Sequence, residues 1–184
     1  MTSDEAIVKV IQTLESLGIP YMLVGSLSSS TYGMPRSSQD ADVLVSFENN
    51  AVVRHLVDHL GPEFHFDLQM TFEGVTATHR HEAVVKETQF KIEFFHVGED
   101  PYDLERFQRR VRLEIKYGPA WLPTPEDVIV NKLRWARSKD QADIKDVIAV
   151  RGKFLDWNYI YSWADRHNTR ELLDQLRASL PAID

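Results

Sequence analysis

Two aspartates placed two residues apart in an apolar segment constrain this chain more than any other feature. Asp40 and Asp42 fall at the start of a strand predicted over residues 41–47, with Leu44 on their face and Val43 and Val45 on the other. Their Cα atoms would lie roughly 6.5–7 Å apart, so both carboxylates can meet on one ion. Carboxylates with little else nearby suit a hard cation such as Mg²⁺ or Mn²⁺. The pair therefore predicts a sheet that carries a divalent-cation site.

A glycine–serine pair precedes these aspartates at the end of another short apolar run. Residues 21–24 form a predicted strand, and Gly25 and Ser26 follow it directly. Glycine lets the backbone approach a ligand closely, and a serine hydroxyl with free N–H groups at a helix start can hold phosphate. A phosphate cradle beside a carboxylate pair meets the needs of metal-assisted phosphoryl or nucleotidyl transfer.

A third acid lies inside the predicted strand of residues 90–97. Glu93 shares a face with Lys91 and Phe95. A carboxylate in an apolar strand needs a partner, and a shared metal would supply one if this strand lies beside Asp40 and Asp42. In that arrangement Glu93 would be a metal ligand, or would accept the proton of an attacking hydroxyl.

The remaining pattern predicts an α/β core followed by helices. Ser3 can cap a first helix, a second is predicted over residues 51–60, and residues 64–68 alternate as a strand. Residues 73–88 give no clear prediction. Thr124 and Pro125 open a helix, and helical texture continues to Leu180. We expect residues 1–120 to form the α/β core and residues 121–184 a helical part packed on it, as one compact unit.

Composition narrows the classes of protein that the chain can belong to. It has no cysteine, which excludes disulfide scaffolds and thiolate sites and fits a cytoplasmic protein. No stretch approaches the ~18 apolar residues of a membrane span. The net charge of −7 argues against indiscriminate nucleic-acid binding. A basic segment at residues 106–116 is either a solvated face, which we favour, or a site for a polyanionic acceptor such as RNA.

Together these motifs resemble the nucleotidyltransferase fold of the DNA polymerase beta superfamily, and its small bacterial branch most closely. The resemblance also covers the later helices, and it extends to toxin components of abortive-infection type toxin–antitoxin pairs. The residues that carry it are Gly25-Ser26, Gly33-Met34-Pro35-Arg36-Ser37, Asp40-Ala41-Asp42, Glu93, Pro125-Glu126-Asp127, Lys132-Leu133, Asp140 and Asp143.

The resemblance implies a mixed β-sheet flanked by helices, with a helical C-terminal part. It implies transfer of a nucleoside monophosphate from a nucleoside triphosphate to an acceptor hydroxyl on RNA, protein or a small molecule. By this resemblance, the catalytic and metal-binding residues would be Asp40, Asp42 and Glu93. The triphosphate would be held by Gly25 and Ser26, with Lys132 offering a positive charge to its phosphate oxygens. Asp143 would lie near the acceptor or the base of the incoming nucleotide.

Two positions leave alternatives open. Arg36 either contacts substrate or forms a salt bridge with Asp40. The third acid of the family is usually aspartate, and the extra methylene of Glu93 leaves its role as ligand or base open. A second hypothesis is an inactive relative that binds a partner protein such as an antitoxin. Three converging carboxylates open to a cleft favour an enzyme, whereas Glu93 turned away and paired with an arginine favours partner binding.

Overall fold

The computed structural model describes residues 1–74 and 77–180. Its helices are α1 (Ser3–Ser16), α2 (Gly25–Tyr32), α3 (Asn50–Leu60), α4 (Pro101–Gln108), α5 (Pro125–Trp135), α6 (Ser138–Arg151), α7 (Trp157–Arg166) and α8 (Arg170–Ala178). Its strands are β1 (Tyr21–Val24), β2 (Asp40–Val45), β3 (Phe64–Glu73), β4 (Thr78–Val85), β5 (Lys91–His96), β6 (Val111–Ile115) and β7 (Gly118–Leu122).

Five strands form a mixed sheet in the order β1-β2-β5-β4-β3. The β2–β5 pair is parallel and the other pairs are antiparallel. In register, Val24 pairs with Asp42, and Asp42 pairs with Glu93. The strand of Glu93 therefore lies beside that of the aspartates, which is the condition that the sequence set for a shared site. The α/β fold class with a mixed sheet flanked by helices is confirmed.

Helices α1 and α3 cover one face of the sheet. The α1 side chains Ala6, Val10 and Leu14 recur at helical spacing and are buried, which is the pattern of an amphipathic helix on a core. Thr2 caps this helix, in place of the predicted Ser3, by accepting a hydrogen bond from the backbone N–H of Glu5. Because this face is covered, the polar side chains of β2 and β5 can lie only on the opposite face.

Helices α5 to α8 bury their own apolar core beside the opposite face. Thr124 caps α5 with Pro125 in its first turn, as predicted. Helix α2 packs against both α5 and α6, and Tyr32 at its end belongs to the core of the helical part. The helical part therefore lies next to the start of α2 and to the polar face of the sheet. Among the described residues, no helix is long and apolar enough to cross a membrane.

The segment without a clear prediction, residues 73–88, contains the end of β3 and all of β4. Strands β3 and β4 pair in antiparallel fashion at the edge of the sheet, with an irregularity between Asp67 and Thr71. Strand β3 forms the edge, and most of its side chains are exposed, whereas β4 lies between β3 and β5 with His81, Ala83 and Val85 buried. Residues 75 and 76 lie outside the described part of the chain.

Candidate active site

An open cleft separates the polar face of the sheet from α5 and α6. We call it the catalytic cleft, and its lining includes the three predicted acids Asp40, Asp42 and Glu93 together with Gly25 and Lys132. The acids come from two parallel strands, which place Asp42 directly beside Glu93. The structure thus brings together at one place the carboxylates that the sequence separates by about fifty residues.

Gly25 is required at its position by Asp42. Its φ is +59°, a conformation that side chains disfavour, and a Cβ built on it would lie 2.0 Å from Oδ2 of Asp42. The turn from β1 into α2 therefore passes against the carboxylate with no room for any other residue. Glycine here serves the close approach of backbone and carboxylate, which extends the role that the sequence suggested.

The environment of Asp42 disfavours its charged form. Burial raises the pKa of Asp42 to about 7, and the neighbouring carboxylates of Asp40 and Glu93 add to that increase, while Lys139 opposes it. The side chains of Asp42 and Glu93 are also within hydrogen-bonding reach of each other. A bound cation would relieve the repulsion between Asp42 and the two carboxylates beside it.

The other two acids have partners of their own. The hydroxyl of Ser38 donates to Oδ1 of Asp40 over 2.7 Å, which orients that carboxylate. Glu93 faces the cleft, and its Oε1 lies 3.0 Å from Nη1 of Arg80 on the neighbouring strand β4. Glu93 is therefore paired with an arginine without being turned away from the other acids.

These donors fit a divalent cation that also takes ligands from a substrate. Among the described residues, no group of three or more His, Asp or Glu side chains is arranged to hold a metal ion by itself. Asp40 and Asp42 offer two carboxylates, which is the number that Mg²⁺ commonly takes when phosphate oxygens and water complete its shell.

A second cavity meets the catalytic cleft at Asp40. This side cavity lies between α1, α2, the loop of residues 33–39 and the β6–β7 hairpin, and its lining includes Ser26, Arg36 and Ser38. The Oγ of Ser26 is buried and has no hydrogen-bond partner among the described residues. A buried hydroxyl without a partner in a polar cavity is suited to an incoming ligand.

Lys132 and Asp143 belong to a buried ionic network. The Nζ of Lys132 lies 2.6 Å from Oδ2 of Asp143 and 3.2 Å from Oδ1 of Asp140, and all three side chains are almost fully buried. Arg137 adds a 2.6 Å hydrogen bond from its Nε to Asp140. Lys132 thus reaches the cleft wall with its charge already compensated by two carboxylates.

Arg36 joins the same network from the loop before β2. Its Nε and Nη2 donate to the two oxygens of Asp143 over 2.9 and 3.0 Å, and the hydroxyl of Ser29 donates to Oδ2. Burial would raise the pKa of Asp143, but the hydrogen bonds from Arg36 and Lys132 outweigh it and hold that pKa below its ordinary value. The alternative of a salt bridge between Arg36 and Asp40 is wrong, since Arg36 pairs with Asp143.

Sequence reasoning missed Lys139 and Arg80, which also line the cleft. Lys139 is exposed, and the described part of the chain gives it no ion pair. Arg80 lies in the segment that gave no clear prediction. For Lys139 the only available signal was its place next to Asp140 in the later motif, and for Arg80 there was none.

The basic segment of residues 106–116 is engaged within the protein. Among the described residues each of its cations has a partner: Arg106 pairs with Asp103, Arg109 with Asp127, Arg112 with Glu15 and Lys116 with Asp4, while Arg110 stacks on Phe107. These contacts favour the interpretation of the segment as structural over a dedicated surface for RNA.

Fold and site together define the class of nucleotidyltransferase-fold proteins. The chain is similar in structure to ANT(2")-Ia in complex with adenylyl-2"-tobramycin, with a TM-score of 0.65 and 13% identity over 93% of this chain and 99% of that one. A nucleotidyltransferase-like protein from Paracoccidioides brasiliensis has a TM-score of 0.55 and 19% identity, over 99% of this chain and 96% of that one. The lincosamide adenylyltransferase LnuA with bound lincomycin has a TM-score of 0.53 and 14% identity, over 82% of this chain and 98% of that one. At these identities the likeness shows the fold.

The family follows from the sequence itself. Residues 1–179 match the family described as nucleotidyltransferases of unknown function (DUF6036), and the chain belongs to that family. No curated protein gives a significant sequence match to the chain.

Proposed function

We propose that this protein is a Mg²⁺-dependent nucleotidyltransferase that transfers a nucleoside monophosphate from a nucleoside triphosphate to an acceptor hydroxyl. One observation carries the proposal: Asp40, Asp42 and Glu93 converge in a cleft that meets a second, hydroxyl-lined cavity at Asp40. Two cavities that meet at Asp40 suit a reaction between two bound substrates. Membership of a nucleotidyltransferase family supports the same reaction class.

The donor triphosphate belongs to the side of Gly25 and Ser26. The unpartnered hydroxyl of Ser26 and the first N–H groups of α2, which no side chain caps, are donors suited to phosphate oxygens. Asp40 and Asp42 would hold Mg²⁺ or Mn²⁺, which neutralises charge at the α-phosphate and lowers the pKa of the acceptor hydroxyl. Lys139, free of ion pairs among the described residues, is the cleft cation that we assign to phosphate in place of Lys132.

We place the acceptor on the Glu93 side of the catalytic cleft, because Glu93 lines that cleft and not the side cavity, and the triphosphate on the side of Gly25, Ser26 and Lys139. Glu93 accepts the proton of the acceptor hydroxyl while the oxygen of that hydroxyl forms a bond to the α-phosphorus. The bond between the α-phosphorus and the bridging oxygen breaks, and pyrophosphate leaves with that electron pair. Atoms and charge balance without any further reactant.

Calorimetric titration tests the donor half of this proposal. ATP, CTP, GTP and UTP are titrated with Mg²⁺ into the wild-type protein, and at least one is expected to bind. Asp42→Ala should weaken that binding by more than about 100-fold, since the loss of residues that merely support metal ligands already costs 10–100-fold. The matched control is Glu82→Gln, an acid on β4 directly opposite Glu93 that pairs with Lys91 and does not line the cleft. Binding by Asp42→Ala equal to the wild type contradicts the proposal.

The acceptor molecule has to be identified by experiment. Two structural neighbours are antibiotic adenylyltransferases by name or bound product, which makes a small hydroxylated molecule the first acceptor to test. RNA and protein follow, and mass spectrometry after incubation with labelled triphosphate distinguishes the three. The resemblance to abortive-infection toxins adds a proposal for the role of the protein in cells. Expression of the wild-type protein should arrest growth, whereas expression of Asp42→Ala should not. Co-expression of an antitoxin partner should relieve the arrest.

The inactive, partner-binding alternative is less well supported. Glu93 is paired with an arginine, which was the feature expected of an inactive relative. However, Glu93 also faces Asp42, and the catalytic cleft is open. The converging carboxylates and the open cleft, which favour an enzyme, are therefore both present, together with the arginine pairing that favours partner binding.

A further inference from the structure

Arg80 on β4 is held in the cleft by contacts with both neighbouring strands, β3 and β5. Its Nη1 lies 3.0 Å from Oε1 of Glu93 on β5 and 3.9 Å from Oε2 of Glu73 on β3. Its Nε donates to the hydroxyl of Thr71 over 3.2 Å, and its guanidinium lies over the ring of Phe95 at 5.7 Å. A guanidinium with this many partners is held in one place, so the charge beside Glu93 is a fixed feature of the cleft.

This fixed charge gives Glu93 an electrostatic environment that differs from that of Asp40 and Asp42. An arginine stays protonated at any physiological pH, so one oxygen of Glu93 is permanently engaged with a cation. A divalent ion bound to Asp40 and Asp42 would be repelled by the same guanidinium and would find the charge of Glu93 already compensated. The absence of a three-ligand metal cluster among the described residues agrees with this division.

We propose that Arg80 is a positioning residue that keeps Glu93 out of the metal shell and free to face the acceptor, so that Asp40 and Asp42 alone bind the metal. This inference rests on the proposed nucleotidyl transfer. It decides between the two roles that the sequence leaves open for Glu93. It also explains how a longer glutamate can replace the usual aspartate, because Arg80 restrains the longer side chain.

Mn²⁺ binding, followed by electron paramagnetic resonance of the free ion, tests the assignment without an acceptor. Glu93→Gln should bind Mn²⁺ within about twofold of the wild type, whereas Asp42→Asn should bind it more than about 100-fold more weakly. Arg80→Gln should bind Mn²⁺ about 3–10-fold more tightly, because a repelling charge is lost and Glu93 is released to the metal. Arg80→Lys keeps the charge and should return toward the wild-type affinity.

Two further variants separate positioning from a general charge effect. The double variant Arg80→Gln/Glu93→Gln should lose most of the tighter binding, because no glutamate remains to join the metal. Lys91→Gln removes an exposed cation two residues from Glu93 and should change Mn²⁺ affinity by less than about twofold. Thermal melts of every variant identify any that fail to fold.

The outcomes distinguish this inference from the proposed function. Glu93→Gln binding Mn²⁺ as weakly as Asp42→Asn would make Glu93 a ligand and overturn the inference alone. Tighter binding that persists in the double variant would also overturn it. No Mn²⁺ binding by the wild-type protein, with or without nucleotide, would overturn both the inference and the proposed function.

Discussion

Asp42 links the chemistry of the cleft to the stability of the protein. Its pKa of about 7 in the folded state lies above its ordinary value of 3.8, so between these values the folded protein binds more protons than the unfolded chain. The contribution of Asp42 to the free energy of unfolding is therefore full below about pH 4 and is lost as the pH rises through 7. Without metal, the protein should therefore become less stable across this window.

Asp42→Asn tests this dependence by thermal unfolding in the presence of a chelator. At pH 8 the variant should be more stable than the wild type by about 1 kcal/mol or more, or ~2–4 °C for a chain of this size. At pH 4 the difference should vanish, because the wild-type carboxyl is then protonated. Added Mg²⁺ at pH 8 should stabilise only the wild type. An equal difference at both pH values would contradict the assigned pKa.

Gly25 provides a second prediction for a single residue, with a matched control in the same chain. Gly25→Ala places a methyl group against the Asp42 carboxylate, so nucleotide and Mg²⁺ binding should fall by more than about tenfold. Gly18 has a similar φ of +63°, but a Cβ added there would meet nothing within 4 Å. Gly18→Ala should cost about 1 kcal/mol of stability from backbone strain and leave binding unchanged. Equal binding losses in both variants would point to strain alone.

At the level of elements, the two cleft lysines of α5 and α6 should behave in opposite ways. Lys132→Met leaves Asp140 and Asp143 buried with one cation fewer, so it should destabilise the protein by about 3 kcal/mol. Lys139→Met removes an exposed cation without an ion pair among the described residues, so stability should change little. Nucleotide affinity should fall about five- to tenfold in Lys139→Met alone.

Urea unfolding and nucleotide titration of both variants measure this contrast. Because Lys132→Met weakens the packing of α5 on α6, its nucleotide affinity is compared at a temperature where it is fully folded. A large stability loss in Lys139→Met, or unchanged affinity in that variant, would contradict the assignment of Lys139 to phosphate.

The sequence predicts some elements well because their physical pattern is complete. Strand β1 is a continuous buried apolar run, and in β2 and β5 buried apolar residues occur together with the acids of the site. Thr124 with Pro125 marks the start of α5. Strand β4 escaped prediction because its first half, residues 78–81, has no apolar side chain, so the buried Thr78 and His81 give no hydrophobic pattern. Arg80 lies in this half and was missed with it.

The candidate site was predictable only as far as local spacing reaches. Asp40 and Asp42 share a strand, whereas Glu93 joins them through a strand pairing that the sequence could state only as a condition. By contrast, Arg36 and Asp143 are 107 positions apart, and their pairing depends on how α2 packs on α6. Such partners follow from tertiary packing, which spacing within a segment does not encode.

For the molecule as a whole, the helical part should be required for folding. Helix α2, which begins at the glycine–serine turn, packs on α5 and α6, and Tyr32 is buried among their apolar residues. A chain ending at Leu122 would expose this apolar surface and lose the partners of Arg36. We expect it to unfold without a cooperative transition, whereas the full chain melts in one step.

Thermal melts followed by near- and far-ultraviolet circular dichroism make that comparison. Coincident transitions in the full chain would support one compact unit. A sharp transition in the shortened chain would instead show that the α/β core folds by itself.

The parallel pairing of β2 with β5 makes cation binding a report on folding. Because side chains alternate between the two faces of a strand, a slip of one residue would place Ile92 or Phe94 beside Asp42 and send Glu93 to the helix-covered face. The three carboxylates converge in one register only. In a refolding experiment, the return of a cation-dependent signal would therefore time the correct docking of these two strands, apart from the formation of the helices around them.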